Sequence, residues 1–281
     1  MRLRSLLFVP GDRPERFAKA AGSGADAIIL DLEDSVAPSA KPEAREAVAA
    51  YLAQPAEVIR FVRVNPLGSE GLDADLVAAR GADGVMLPKA EGAKDVAALA
   101  ERMGEGLVPI LPVATETPRA IFALGGYEVV AERLAGLTWG AEDLPAAIGA
   151  SAARESDGRY TPPYEVVRTL ALMGAHAAGV AAIETVYPAI RDAEGLAAYA
   201  ARGARDGFTG MMAIHPSQVY AINAAFTPSD EALADARAIV AAFAASPGAG
   251  ALQLDGKMID APHLKQAQAL LARAGERTGE M

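Results

Sequence analysis

Ala20-Ala21-Gly22-Ser23-Gly24-Ala25-Asp26 runs straight into Ala27-Ile28-Ile29-Leu30, and the same succession returns three more times. Ala78-Ala79-Arg80-Gly81-Ala82-Asp83 precedes Gly84-Val85-Met86-Leu87. Ala177-Ala178-Gly179 precedes the run Val180 to Val186, and Ala204-Arg205-Asp206-Gly207 precedes the run Phe208 to Ile214. A small-residue helical stretch ending at Gly suits the left-handed position just past a helix C-terminus. A continuous apolar run of about four to eight residues suits a strand buried on both faces, as in a parallel sheet. The unit is helix then strand, used repeatedly.

Working outward, such runs make eight predicted strands: Ser5–Val9, Ala27–Leu32, Val58–Val64, Gly84–Leu87, Pro109–Ala114, Leu137–Trp139, Ala181–Val186 and Met211–Ile214. Helical patterns fall between them, among them Pro42–Leu52, Ala93–Met103, Pro118–Arg133, Tyr164–Ala178 and Ala193–Arg205. Eight βα units in about 230 residues predict a (β/α)₈ TIM barrel. The rival is a doubly wound open sheet, and no Gly-x-Gly-x-x-Gly follows a strand to favour its dinucleotide-binding form. After Ile214 come two helical stretches, Ser217–Ala225 and Ser229–Ala244, then the break Ser246-Pro247-Gly248-Ala249-Gly250. A short segment, Leu252–Ile259, and a last helix, Pro262–Arg273, follow. The expected organisation is a barrel domain over 1–226 and a C-terminal helical extension over 227–281, serving as a lid or oligomer arm.

Of the 281 residues, 52% are apolar, enough for a sizeable core, so a largely disordered chain is excluded. Cysteine is absent, which removes disulfides, thiolate metal sites and a Cys nucleophile; three His make a multi-His metal site a poor expectation. The net charge of −10 argues against non-specific binding to nucleic acid or anionic membrane. No run approaches the roughly 18–20 apolar residues of a membrane-spanning helix. Pro10-Gly11-Asp12-Arg13 cuts the first apolar run below signal-peptide length, so a cytoplasmic location is expected.

In a barrel of this type chemistry sits at the C-terminal strand ends. Those ends carry Asp31-Leu32-Glu33-Asp34-Ser35, Arg63-Val64-Asn65-Pro66, Pro88-Lys89, Thr115-Glu116-Thr117, Gly140-Ala141-Glu142-Asp143, Glu184-Thr185 and His215-Pro216. Carboxylates converging on one rim repel unless a cation lies between them. Oxygen-only ligands suit a hard ion such as Mg²⁺, which takes one or two carboxylates plus water and substrate. Glu116 and Asp143 follow adjacent strands and are the expected ligands; the alternative is that each caps the helix it precedes. Arg63 suits a substrate carboxylate or enolate oxygen, or a salt bridge to Glu33 or Asp34, which would aim it from behind. Residues 1–19 hold Arg2, Arg4, Arg13, Arg16 and Lys19 against Asp12 and Glu15, a local 5 − 2 = +3. That is either a patch for a phosphorylated ligand or a solvated helix face. His215 reads as a base or as a structural His beside a Pro turn.

Eight motifs in order along nearly the whole chain resemble the citrate lyase beta-subunit-like proteins of the HpcH/HpaI aldolase superfamily, which include the malyl-CoA and citramalyl-CoA lyases. They are Arg4-Ser5-Leu6-Leu7-Phe8-Val9-Pro10-Gly11, Asp31-Leu32-Glu33-Asp34-Ser35-Val36, Arg63-Val64-Asn65-Pro66, Leu87-Pro88-Lys89, Glu116-Thr117-Pro118, Trp139-Gly140-Ala141-Glu142-Asp143-Leu144, Ile214-His215-Pro216-Ser217-Gln218 and Gly256-Lys257-Met258-Ile259-Asp260. The resemblance implies the barrel, Mg²⁺ on Glu116 and Asp143, and a substrate contact from Arg63 as well as from Glu116 at the metal. It also implies an acid–base Asp260 on a lid covering a neighbouring subunit's site, and a homo-oligomer, trimer or hexamer. Glu33 and Asp34 would stand behind Arg63, and Arg4, Arg13, Arg16 and Lys19 would meet coenzyme A. Met211 stands where many relatives carry Lys, which weakens carry-over of any contact made by that Lys.

The implied reaction is cleavage or formation of a 3-hydroxyacyl-CoA such as malyl-, citramalyl- or citryl-CoA, giving a 2-oxo acid and acetyl-CoA. Arg63 would stabilise the thioester enolate and Asp260 would protonate it; Lys89 needs no covalent role. The alternatives are the beta subunit of citrate lyase acting on a carrier-protein thioester, a CoA-independent 2-oxo-acid aldolase, and a non-catalytic scaffold subunit.

Overall fold

The computed structural model describes residues 1–104 and 108–276. Eight parallel strands form one sheet: β1 (Ser5–Pro10), β2 (Ala27–Asp31), β3 (Ile59–Arg63), β4 (Gly84–Leu87), β5 (Ile110–Pro112), β6 (Leu137–Thr138), β7 (Ala182–Glu184) and β8 (Gly210–Ala213). Their order is β5-β4-β3-β2-β1-β8-β7-β6. The two ends meet through a parallel Val113–Thr138 bridge, with the Ala114 N–H donating to Thr138 O at 2.9 Å and the Ala135 N–H to Ile110 O at 2.8 Å. The barrel is thereby nearly closed, and the open-sheet rival is excluded.

The period of two along each strand makes two cores. Leu6, Ile29, Phe61, Met86, Leu111, Ile183 and Met212 fill the barrel interior. Their neighbours Leu7, Ile28, Leu30, Val62, Val85 and Met211 pack outward against the helices. Met211 therefore faces away from the interior, because its parity is opposite to that of Met212.

The helices of this part are α1 (Phe17–Ala21), α2 (Lys41–Leu52), α3 (Leu72–Ala78), α4 (Ala93–Met103), α5 (Pro118–Ala123), α6 (Leu144–Ile148), α7 (Pro162–Ala177), α8 (Ala193–Asp206) and α9 (Val219–Ala225). The single helix expected over Pro118–Arg133 is instead α5 followed by 3₁₀ turns over Leu124–Arg133, broken at Val130. Gly125-Gly126 in its middle lowers the local helix propensity.

The described chain falls into two compact units, Met1–Phe226 and a second beginning at Thr227. In the second, α10 (Asp230–Ala244) and α11 (Ala261–Arg273) pack around Ala236, Ala267 and Leu271. Between them the expected single segment Leu252–Ile259 is a hairpin, β9 (Ala251–Leu254) with β10 (Lys257–Asp260). Its turn is Asp255-Gly256, both at positive φ (49° and 76°), a two-residue geometry for which Asp-Gly is a strong local signal. Residues 277–281 of the expected extension lie outside the described residues. Among the described residues no helix is long and apolar enough to cross a membrane.

Candidate active site at the strand C-terminal ends

Asp31 and Arg63 end β2 and β3 in direct register and share the inward parity of Ile29 and Phe61. The Arg63 guanidinium donates to both oxygens of Asp31, Nε at 2.7 Å and Nη2 at 2.6 Å. Its Nη1 lies 3.0 Å from Glu33 Oε2, an ion pair not aligned as a hydrogen bond. The Phe8 ring lies beneath it, 4.9 Å from centroid to guanidinium carbon. Burial alone would raise the Asp31 carboxyl; the Arg63 hydrogen bonds overcome that and hold it below the usual range. Asp31 is thus a partner that the choice between Glu33 and Asp34 missed. Of the five N–H donors on the guanidinium, two are hydrogen-bonded to Asp31, and three remain for another ligand.

Lys89, one residue past Pro88 at the end of β4, joins the next part of the rim. Its Nζ lies 2.7 Å from Glu33 Oε1, 3.6 Å from Asp143 Oδ1 and 3.9 Å from Asp34 Oδ2. Its backbone N–H donates to Glu116 Oε2 at 2.5 Å. Its φ is +53°, a conformation that side-chain-bearing residues adopt only under constraint. Five carboxylates, Asp31, Glu33, Asp34, Glu116 and Asp143, thus share two cations, Arg63 and Lys89. Glu116 is buried, and that burial pushes its carboxyl up to about 8; the charges of Asp143 and Glu33 add to the push and the Lys89 N–H opposes it. Asp34 is largely exposed and pairs loosely with Lys89 rather than lying against Arg63.

Neither expected ligand uses its side chain to cap a helix. Thr117 caps α5, its Oγ1 accepting from the Ala120 N–H at 3.2 Å, so Glu116 is spared. Asp143 holds the N-cap position of α6 but its side chain makes no capping hydrogen bond. Thr115 locks the two strand ends together, donating to Gly140 O and accepting from the Gly140 N–H, both at 3.0 Å. A Cβ on Gly140 would lie 3.0 Å from Glu116 Cγ, so a larger residue there would press on that side chain. Thr115, Gly140 and Lys89 stand at the predicted strand ends, but nothing in their residue types announced these contacts.

Other rim residues are taken elsewhere. Glu184 is fully buried, accepting from Trp139 Nε1 at 2.5 Å, Tyr199 OH at 2.9 Å and Arg168 Nε at 2.7 Å. His215 caps the 3₁₀ turn after β8, its Nδ1 accepting from the Ser217 N–H at 3.2 Å, the structural role rather than the base. The basic patch divides. Arg13, Arg16 and Lys19 are exposed after the C-terminal end of β1. Arg4 precedes β1, at the opposite end of the barrel, and is bonded to Asp26 through Nε at 2.9 Å and Nη2 at 2.7 Å. Arg4 therefore does not belong with the other three, because one strand length separates them.

Asp260 ends β10 and stands at the N-terminus of α11, in the second unit. Its Oδ1 lies 2.5 Å from His263 Nδ1, and this contact holds the carboxyl below its usual range.

Among the described residues no three His, Cys, Asp or Glu side chains are gathered as a metal cage. A hard divalent ion that keeps several waters needs only one or two carboxylates. Glu116 and Asp143, uncapped and surrounded by surplus negative charge, fit such an ion.

Residues 4–216 match the family model described as HpcH/HpaI aldolase/citrate lyase. A citrate lyase subunit beta-like protein of Mycobacterium tuberculosis is 43% identical over 277 residues, covering 98% of this chain and 96% of that protein. A (3S)-malyl-CoA thioesterase of Cereibacter sphaeroides is 37% identical over 281 residues, covering 96% and 94%. Among solved structures, CitE from M. tuberculosis in complex with magnesium, acetoacetate and coenzyme A superposes with a TM-score of 0.83 at 39% identity, covering 98% of this chain and 99% of that one. An inward-facing arginine beside surplus carboxylates on a barrel rim and similarity along almost the entire length lead to one conclusion: the chain belongs to the HpcH/HpaI aldolase/citrate lyase family.

Proposed function

We propose that this protein is a Mg²⁺-dependent carbon–carbon lyase acting on a 3-hydroxyacyl-CoA of the malyl, citramalyl or citryl type, working in the cytoplasm as a homo-oligomer. The observation that carries the reading is the pair of uncapped carboxylates, Glu116 and Asp143, beside a buried, inward-facing Arg63. The relatives add support: a CitE complexed with magnesium, acetoacetate and coenzyme A.

Glu116 and Asp143 would hold the ion. When bound, it supplies Lewis acidity that lowers the pKa of the substrate hydroxyl. Arg63, fixed by Asp31 and Glu33, offers its remaining N–H bonds to the thioester oxygen, where negative charge grows as the carbon–carbon bond breaks. The hydroxyl proton leaves to solvent, the electron pair of the breaking bond passes into the thioester enolate, and the hydroxyl carbon becomes the 2-oxo group. Asp260 passes a proton taken up from solvent to the enolate carbon, completing acetyl-CoA, and removes it in the reverse direction. Arg13, Arg16 and Lys19, exposed on the same rim as Arg63, meet the phosphates of coenzyme A.

The malyl-CoA thioesterase relative favours a second reading, hydrolysis of the thioester to free acid and coenzyme A. The test is a panel of malyl-CoA, citramalyl-CoA and citryl-CoA, each with and without Mg²⁺. Lyase chemistry yields a 2-oxo acid and acetyl-CoA with no free thiol. Free thiol with no oxo acid in every case would establish the thioesterase instead. For Asp260, Asp260→Asn and Glu116→Gln proteins are dissociated and reassembled together. Recovered activity supports a carboxylate working on a neighbour's site; confirmed mixed oligomers with none would exclude it.

A further inference from the structure

Among the described rim residues, Lys89 is the non-glycine residue held at positive φ. A residue at φ +53° is tolerated where the surroundings over-determine it, and an outlier of this kind at a site asks what it is held for. Two directed contacts answer. The Lys89 peptide N–H is aimed at Glu116 Oε2, and its ammonium lies among Glu33, Asp143 and Asp34, at 2.7, 3.6 and 3.9 Å. One residue thus grips one expected metal ligand through its backbone and faces the other with a full positive charge.

We propose that Lys89 is a resident counter-cation: its ammonium balances the rim carboxylates in the metal-free protein and opposes the incoming ion, so that it sets how tightly Mg²⁺ is held. The inference rests on the reading that Glu116 and Asp143 hold the ion. The sign follows from Coulomb's law. Without a cation, Asp143, Glu33 and Asp34 repel one another around a partly buried space, and Lys89 removes part of that cost. Once a divalent ion is bound, the same ammonium is a like charge beside it. Lys89 is a positioning residue here, with no covalent step and no proton transfer assigned to it.

The test is calorimetric titration of MgCl₂ into the metal-stripped full-length protein, without substrate. Lys89→Met should bind Mg²⁺ about tenfold more tightly than wild type, equivalent to about 1.4 kcal/mol. Lys89→Gln, which retains length and polarity, carries the same expectation if Lys89→Met fails to fold. Lys89→Arg, which keeps the charge, should stay near wild type. The metal-free Lys89→Met protein should melt lower than wild type and gain more on adding Mg²⁺. Unchanged or weaker binding in both neutral variants would overturn the proposal. Glu116→Gln separates the two ideas: if it binds Mg²⁺ like wild type, the ligand assignment itself is wrong, whatever Lys89 does.

Discussion

Two arginine–carboxylate clusters sit at strand C-terminal ends in this barrel, and they differ in charge balance and in access. Around Glu184 at the end of β7, Arg168, Trp139 and Tyr199 all donate, and Arg168 also reaches Asp206 at 2.8 Å. Arg168 and Glu184 are 3% and 0% exposed, so the cluster is shut off from any ligand. Around Arg63 the carboxylates outnumber the cations, one lysine is held in a left-handed conformation, and Asp143 is 35% exposed. The first cluster is balanced by Arg202 and Arg205 beside Asp206, and apart from Arg168 Nη2 it spends its polar groups on one another, tying the end of β6, β7, α7 and α8 together. The second leaves charge unbalanced, with Lys89 and Asp143 partly open to solvent. A buried ion pair is thus not by itself evidence of a site; unbalanced charge with access is.

The sharpest way to break this contrast is Arg168→Met. It leaves Glu184 buried and short of its cation, and stability should fall by about 3–5 kcal/mol in urea denaturation. A loss below about 1 kcal/mol would mean the cluster is no keystone. Next comes Glu116→Gln, expected to cut kcat/KM at least about a hundredfold, roughly 2.7 kcal/mol of transition-state stabilisation. Its stability should hold or rise, since it removes a buried carboxylate whose charged form is disfavoured. A large stability loss with intact activity would move Glu116 into the first class of cluster.

Arg63→Lys replaces a planar fork with a point charge and should cost at least about tenfold in kcat/KM, about 1.4 kcal/mol. Near-wild-type turnover would make Arg63 as structural as Arg168. The smallest effect concerns acid. The Asp31 carboxyl is depressed in the folded chain, so its contribution to stability is present above the ordinary carboxylate range. That contribution is lost as the pH falls through the depressed value. Asp31→Asn should lower stability at neutral pH and flatten the acid limb of a stability-against-pH curve. An acid limb of unchanged slope would show that the Arg63–Asp31 pair contributes no pH-dependent stability.

The sequence determined the barrel by itself. The Gly-terminated helices and the apolar runs after them are local signals, and a repeated local signal leaves few topologies open. It also placed Glu116, Asp143 and Arg63 on one rim, because every strand of a parallel barrel ends on the same side. Tertiary structure alone decided what each rim residue became. Glu184 and Asp31 are both strand-final acids, yet Glu184 is enclosed by Trp139 and Tyr199 from distant elements, while Asp31 holds Arg63 at the rim. Arg4 and Arg13 are nine positions apart in one basic stretch, yet β1 sends them to opposite ends of the barrel. Lys89 showed only as the end of a motif; its contacts come from the loops after β2, β5 and β6. Partners so far apart along the chain leave no periodic trace in it. Charge balance and access are sums over neighbours in space, and those neighbours exist only once the barrel has closed.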